Sequence, residues 1–138
     1  MADARSYPAR PFVAVSAAHQ QEFSFARGLY SLPGGVVELG ETLSDALVRE
    51  IAEETALRIE PVALAGFREV IVRDGDDRVE RHFIILCFAA RWLAGEPVLN
   101  EELSEARWIT PPDLSGLPTT PGLAEIVAAA FERLEQAR

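Results

Sequence analysis

The chain is poor in three things: cysteine, long apolar runs and positive charge. Its 138 residues hold one cysteine, Cys87, and 13 Lys and Arg against 22 Asp and Glu, a formal net charge of −9. A lone cysteine excludes a disulfide within the chain and suits a reducing compartment, and its apolar setting marks Cys87 as a core residue. The longest apolar run, Phe83 to Ala90, is far too short to span a bilayer. No N-terminal signal pattern stands before it, so the expectation is a cytoplasmic protein with no membrane partner. The acidic balance disfavours a nucleic acid polymer as partner, because a polyanion needs basic surface. No cluster of His and Cys suggests zinc, and no repeat, linker or low-complexity stretch divides the chain. What these absences leave is one domain, residues 1–138, long enough to bury roughly 70% of its unfolded surface.

What the sequence does have is concentrated between Gly34 and Leu57, GGVVELGETLSDALVREIAEETAL. From Thr42 onward Leu43, Ala46, Leu47 and Ile51 recur at three- and four-residue spacing, which predicts an amphipathic helix, and Thr42 followed by Asp45 suits a capping box at its start. At about 100° per residue, Glu50 and Glu54 fall inside the apolar arc and Glu53 falls at its edge. Unpaired carboxylates on an inward face are costly, so three of them converging require a cation. Ligation by oxygen alone points to a hard ion, Mg²⁺ before Mn²⁺ or Ca²⁺. Arg49 lies off this face, within reach of Asp45 and Glu53, each four residues away, and reads as an orienting group.

Gly35, Glu41, Arg49, Glu50, Ile51, Glu53, Glu54 and Leu57 match, at the right spacing, the pattern G-x5-E-x7-R-E-U-x-E-E-x-G-U, with U aliphatic. The segment therefore resembles the Nudix box, the signature of hydrolases acting on nucleoside diphosphates linked to another group. Only the late glycine fails, being Ala56. The Tyr30 to Gly35 stretch is similar to the strand and loop that lead into the box, and Arg107-Trp108-Ile109 resembles the short strand after the family's substrate loop. The resemblance implies Mg²⁺-dependent hydrolysis of a pyrophosphate bond in a small nucleotide. It adds the carbonyl of Gly34 or Gly35 as a backbone ligand beside Glu50, Glu53 and Glu54. Glu53 is the first candidate for general base. Glu102, six residues before Trp108, is the second, by resemblance alone. Glu41 is expected to hold Arg49 or an outer-shell water.

Elsewhere the sequence predicts mainly scaffold. Phe12 to Ala18 reads as a strand and Val62 to Val72 as another, interrupted at Gly66. Asp74-Gly75-Asp76-Asp77 reads as a hairpin turn, and Arg78 to Trp92 as the longest strand, central because Phe83 to Phe88 is apolar on both faces. Thr120-Pro121 is expected to open a last helix whose stripe is Leu123, Ile126, Val127, Ala130, Phe131 and Leu134. The order of elements predicts an α/β/α sandwich of Nudix type with a mixed sheet between helices. Residues 19–27 are too few for the full return strand that members of the family carry, so the N-terminal hairpin is expected to be shortened or lost. The strand at Phe12 would then be completed by Tyr7 to Arg10, by Phe23 and Phe25 folding back, or by a second chain in a homodimer. A lost hairpin would also favour the rival reading, a Nudix-fold binding or regulatory domain without catalysis.

Overall fold

The computed structural model describes residues 5–19, 22–26, 29–98, 105–108, 114 and 116–137. In chain order the elements are β1 (Phe12–His19), β2 (Glu22–Ala26), β3 (Leu29–Ser31), β4 (Gly34–Val36), α1 (Leu43–Thr55), β5 (Arg58–Arg73), β6 (Val79–Ala94), β7 (Glu105–Trp108) and α2 (Leu123–Gln136). The strands form one mixed sheet of order β3-β2-β1-β6-β5, with β4 also paired to β1 and β7 to β2. Among the named strands β1 and β6 run parallel, in register from Phe12 opposite Phe83 to His19 opposite Ala90, and the other pairs are antiparallel. The apolar run of β6 is thus central, as its two apolar faces require.

Side-chain alternation divides the sheet into two faces. Val15 and Ala17 of β1, with Leu86, Phe88 and Ala90 of β6, meet Ala46, Leu47 and Ile51 of α1. On the other face Ala18 and Ala89 meet Leu123, Val127, Ala130 and Leu134 of α2. Helix, sheet and helix make the expected sandwich. Each fully buried side chain of Leu47 or Ile51 size contributes about 1.5–3 kcal/mol through burial.

Several expectations are corrected. The return strand that the sequence put in doubt is present: β2 has five residues, meets β1 at His19 opposite Glu22, and pairs with β3 and β7. A two-residue connection and a short strand suffice, because β2 is held by its other neighbours. The second edge of β1 is taken by β4, with Val15 opposite Gly35, and at His19 by β2, so of the three completions expected the folding back of the Phe23 and Phe25 segment is the one present, and neither Tyr7 to Arg10 nor another chain is needed. Tyr7 instead donates its amide to Glu80 O on β6 at 2.8 Å. The strand expected at Val62 begins at Arg58 and passes through Pro61, which the edge position of β5 tolerates at a register shift between Pro61 and Ala63. The last helix is capped by Gly122 (φ 80°), not Thr120, and the Thr120 carbonyl accepts from Leu123 N in the turn before it. Leu43 is 37% exposed and stands outside the core stripe. The Asp74 turn and the interruption at Gly66 fall where the sequence set them.

Candidate active site

Helix α1 begins as its capping residues dictate, with Thr42 Oγ1 accepting from Asp45 N at 3.0 Å. It ends at Ala56, which adopts the left-handed conformation (φ 65°, ψ 11°) and donates its amide to Ala52 O at 2.9 Å. Alanine thus occupies the geometry normally given to glycine. Between these ends Ala46, Leu47, Ile51 and Thr55 are buried, which fixes the rotation of the helix. That rotation turns Glu50 and Glu54, both half-buried, toward β4. Glu53 is 61% exposed, farther out than the edge of the apolar arc, and is paired there with Arg49.

The two glycines of β4 are required for different reasons. A Cβ on Gly34 would lie 2.0 Å from Val15 O, so that glycine permits the pairing with β1. A Cβ on Gly35 would lie 2.1 Å from Glu50 Oε2, so that glycine leaves room for a carboxylate directly above the strand. Gly34 N donates to Glu54 Oε2 at 2.9 Å, tying the loop to the helix.

Arg49 is the hub. Its Nε and Nη2 donate to the two oxygens of Glu41 at 2.7 and 2.8 Å, and Nη2 also donates to Val36 O at 3.2 Å. Nη1 donates to Glu50 Oε1 at 2.9 Å and to Glu53 Oε2 at 3.1 Å. All five N–H groups of the guanidinium therefore have an acceptor, and Asp45, the other partner expected from sequence, is passed over for the bidentate geometry of Glu41. The Arg49 guanidinium, helped by the Glu38 amide, holds the Glu41 carboxyl down at about 2. Glu41 and the Glu50 carboxylate raise Arg49 further above its ordinary value.

Glu50, Glu53, Glu54, Gly34, Gly35 and Arg49 line one cavity of about 610 Å³. Glu41 stands behind Arg49. Glu102 lies outside the described residues. The cavity also receives Arg5, which the sequence reading left in an extended lead-in. Its approach depends on the anchoring of Tyr7 to Glu80 and Asp74, a contact between distant segments with no local signature.

Could these residues hold a metal? Among the described residues no three Asp, Glu, His or Cys side chains converge on one point as they stand. Glu53 is turned to Arg49 and Glu54 to the Gly34 amide. The donor set nonetheless fits a hard divalent cation: it is carboxylate oxygen throughout, and Gly35 leaves open space under Glu50. The Arg49–Glu53 pair is surface-exposed and weakly held, so an incoming cation can take Glu53 at small cost.

Comparison with known proteins bears on this geometry. The family model described as NUDIX domain matches residues 12–130. An ADP-ribose pyrophosphatase from Methanocaldococcus jannaschii is 39% identical over 93 residues, 67% of this chain and 50% of its own length. An NAD-capped RNA hydrolase, NudC, from Pseudomonas putida is 32% identical over 130 residues, 88% of this chain and 44% of its own length. The chain thus spans about half the length of these curated relatives. Among solved structures, a MutT NUDIX hydrolase from Burkholderia pseudomallei superposes with a TM-score of 0.73 at 23% identity, covering 87% of this chain and 98% of that one.

Proposed function

The chain belongs to the Nudix family, and from that premise we propose that it hydrolyses the pyrophosphate bond of a nucleoside diphosphate linked to another group. The observation that carries this reading is the meeting of Glu50, Glu53 and Glu54 with a glycine pair around one cavity. Glu50, Glu53 and Glu54 would hold Mg²⁺, or Mn²⁺ in its place, with a Gly34 or Gly35 carbonyl as a further ligand. The ion, when bound, neutralises pyrophosphate charge and makes water more acidic. Glu53 is the preferred general base, because its exposure and single partner leave it able to turn toward a water; Glu102 is the alternative. Arg49 and Glu41 are positioning residues: Glu41 fixes the guanidinium, and the guanidinium fixes Glu50.

The relative named an ADP-ribose pyrophosphatase supports a small nucleotide as substrate. The one named for NAD-capped RNA presents the same bond on a polymer, and the net charge of −9 favours the small substrate over it. Among the described residues no helix is long and apolar enough to cross a membrane, and the lone Cys87 suits a cytoplasmic setting. The rival reading, binding without hydrolysis, drew its support from a missing hairpin, and β2 removes that support. The test is formation of a nucleoside monophosphate from a panel of nucleoside diphosphate derivatives with Mg²⁺ and with chelator. Cleavage that needs the cation is expected; binding without any cleavage would favour the regulatory reading.

A further inference from the structure

Helix α2 covers only part of its sheet face. Its buried stripe ends at Leu123, and it reaches β5 at Gly66, where a Cβ would lie 2.9 Å from Ile126 Cδ1. Beyond Gly66 the same face carries Arg68 and Val70 of β5 and Phe83 and Ile85 of β6, all only half-buried. Two hollows occupy this uncovered area. The first, about 250 Å³, shares Gly34, Gly35 and Glu54 with the carboxylate cavity. The second, about 310 Å³, shares Ser16, Leu32 and Ile85 with the first and ends at Arg68 and Thr120. The three therefore form one trough crossing β4, β1, β6 and β5. Three inter-strand spacings make it roughly 14 Å long, the scale of an extended nucleoside diphosphate.

Arg68 is half-buried and differs from the arginines held in ion pairs. Arg49, Arg73, Arg78 and Arg91 each lie within ion-pair distance of a carboxylate. Arg68 has no carboxylate partner among the described residues, and its Nη1 makes one long hydrogen bond, 3.4 Å, to Thr120 Oγ1. A half-buried guanidinium with a single long hydrogen bond among the described residues has donor N–H groups left to satisfy. Its surroundings are fixed in advance: Tyr30 N donates to Pro118 O at 2.7 Å and Thr120 N to Tyr30 O at 3.1 Å, pinning the wall of the hollow to β3.

We infer that this hollow is the base subsite and that it selects a base whose edge presents two adjacent acceptors, as O6 and N7 of guanine do, over adenine, which places an amine beside N7. Leu32, Val70 and Ile85 give the flat ring an apolar floor. The guanidinium offers a fork of donors that matches two neighbouring acceptors and would meet the exocyclic amine of adenine donor to donor. The inference rests on the hydrolase reading in one respect, that the pyrophosphate lies in the carboxylate cavity.

The experiment measures binding, so that it stands apart from turnover. Methylene-bridged, non-hydrolysable analogues of GDP and ADP are titrated calorimetrically into wild type, Arg68→Met and Arg68→Lys in the presence of Mg²⁺. Wild type is expected to prefer the guanine analogue by about tenfold or more, within what one bidentate arginine–base pair supplies. Arg68→Met should abolish the preference and leave the adenine analogue's affinity unchanged. Arg68→Lys keeps the charge and loses the fork, so the preference should fall there too. Equal affinities in wild type, failure of both analogues to bind, or a preference that survives both variants overturns the subsite. Cation-dependent cleavage of the substrate panel is unaffected by any of these results and is judged separately.

Discussion

Two sets of carboxylates in this molecule, Asp74 in the β5–β6 hairpin and Glu50 with Glu53 on α1, have opposite characters. At the tip of the β5–β6 hairpin, Asp74 Oδ1 accepts from Asp76 N at 2.9 Å and Arg78 N at 3.0 Å, while Oδ2 accepts from Tyr7 Oη at 2.9 Å and Arg78 Nε at 3.2 Å. A carboxylate has about four acceptor sites, and here all are spent on closing a turn and holding the N-terminal segment. On α1, Glu50 and Glu53 each accept one hydrogen bond from Arg49 among the described residues. The difference teaches that an acidic cluster becomes a site through unspent oxygens, and that counting charges cannot distinguish the two.

The largest effect that would break this comparison is expected from Glu53→Gln. Hydrolysis should fall by about 10²–10⁴-fold, the usual contribution of a general base, with an unchanged circular dichroism spectrum. Turnover at the wild-type rate would mean that neither base nor ligand role belongs to Glu53. A counterpart at the hairpin, Asp74→Asn, should lower the melting temperature slightly and, through the loosened Tyr7, change kcat far less than Glu53→Gln does.

Glu41→Gln sharpens the comparison through pH. The Glu41 carboxyl is held down to about 2 by the Arg49 guanidinium, so its stabilisation is fully present above the ordinary carboxylate pKa and is lost as pH falls through about 2. Melting temperatures of wild type and Glu41→Gln should therefore differ most at neutral pH and converge as the solution is acidified. A gap that stays constant down to pH about 2 would mean that the pair does not act through ionisation.

A smaller effect is expected at the helix end. Ala56 sits at φ 65°, where a side chain costs roughly 1–2 kcal/mol that glycine avoids. The extra freedom of glycine in the unfolded chain offsets part of this. Ala56→Gly should thus raise stability by about 1 kcal/mol or less, seen as a higher denaturation midpoint, without altering activity. A lowered midpoint would show that the turn gains something specific from the alanine methyl.

Much of the α1 region was legible because its signals are local. The Thr42 cap, the apolar spacing of Ala46, Leu47 and Ile51, and the rotation that turns Glu50 and Glu54 to β4 all follow from residues within a few turns of one another. The failures share a cause. Arg49 prefers Glu41 to Asp45 because the loop from β4 brings Glu41 back over the helix, which periodicity along the helix does not encode. Arg5 and Arg68 reach the site only through the docking of Tyr7 on β6 and the sheet order β4-β1-β6-β5. Leu43 was assigned to the core by spacing, yet at the first turn of α1 the sheet no longer covers it.

The parallel pairing of β1 with β6 has a consequence for the order in which the site matures. Its carboxylate end depends on near neighbours in sequence, such as Gly34 and Glu54, twenty residues apart. Its distal end requires Phe12 to meet Phe83 and β5 to join behind, a closure across more than half the chain. Closing so long a loop is the slow step in chains dominated by non-local pairing. During folding, the local contacts of the carboxylate end are therefore expected to form ahead of the distal end, while the packing of α1 against Leu86 and Phe88 of β6, which aims its glutamates, waits for the same closure.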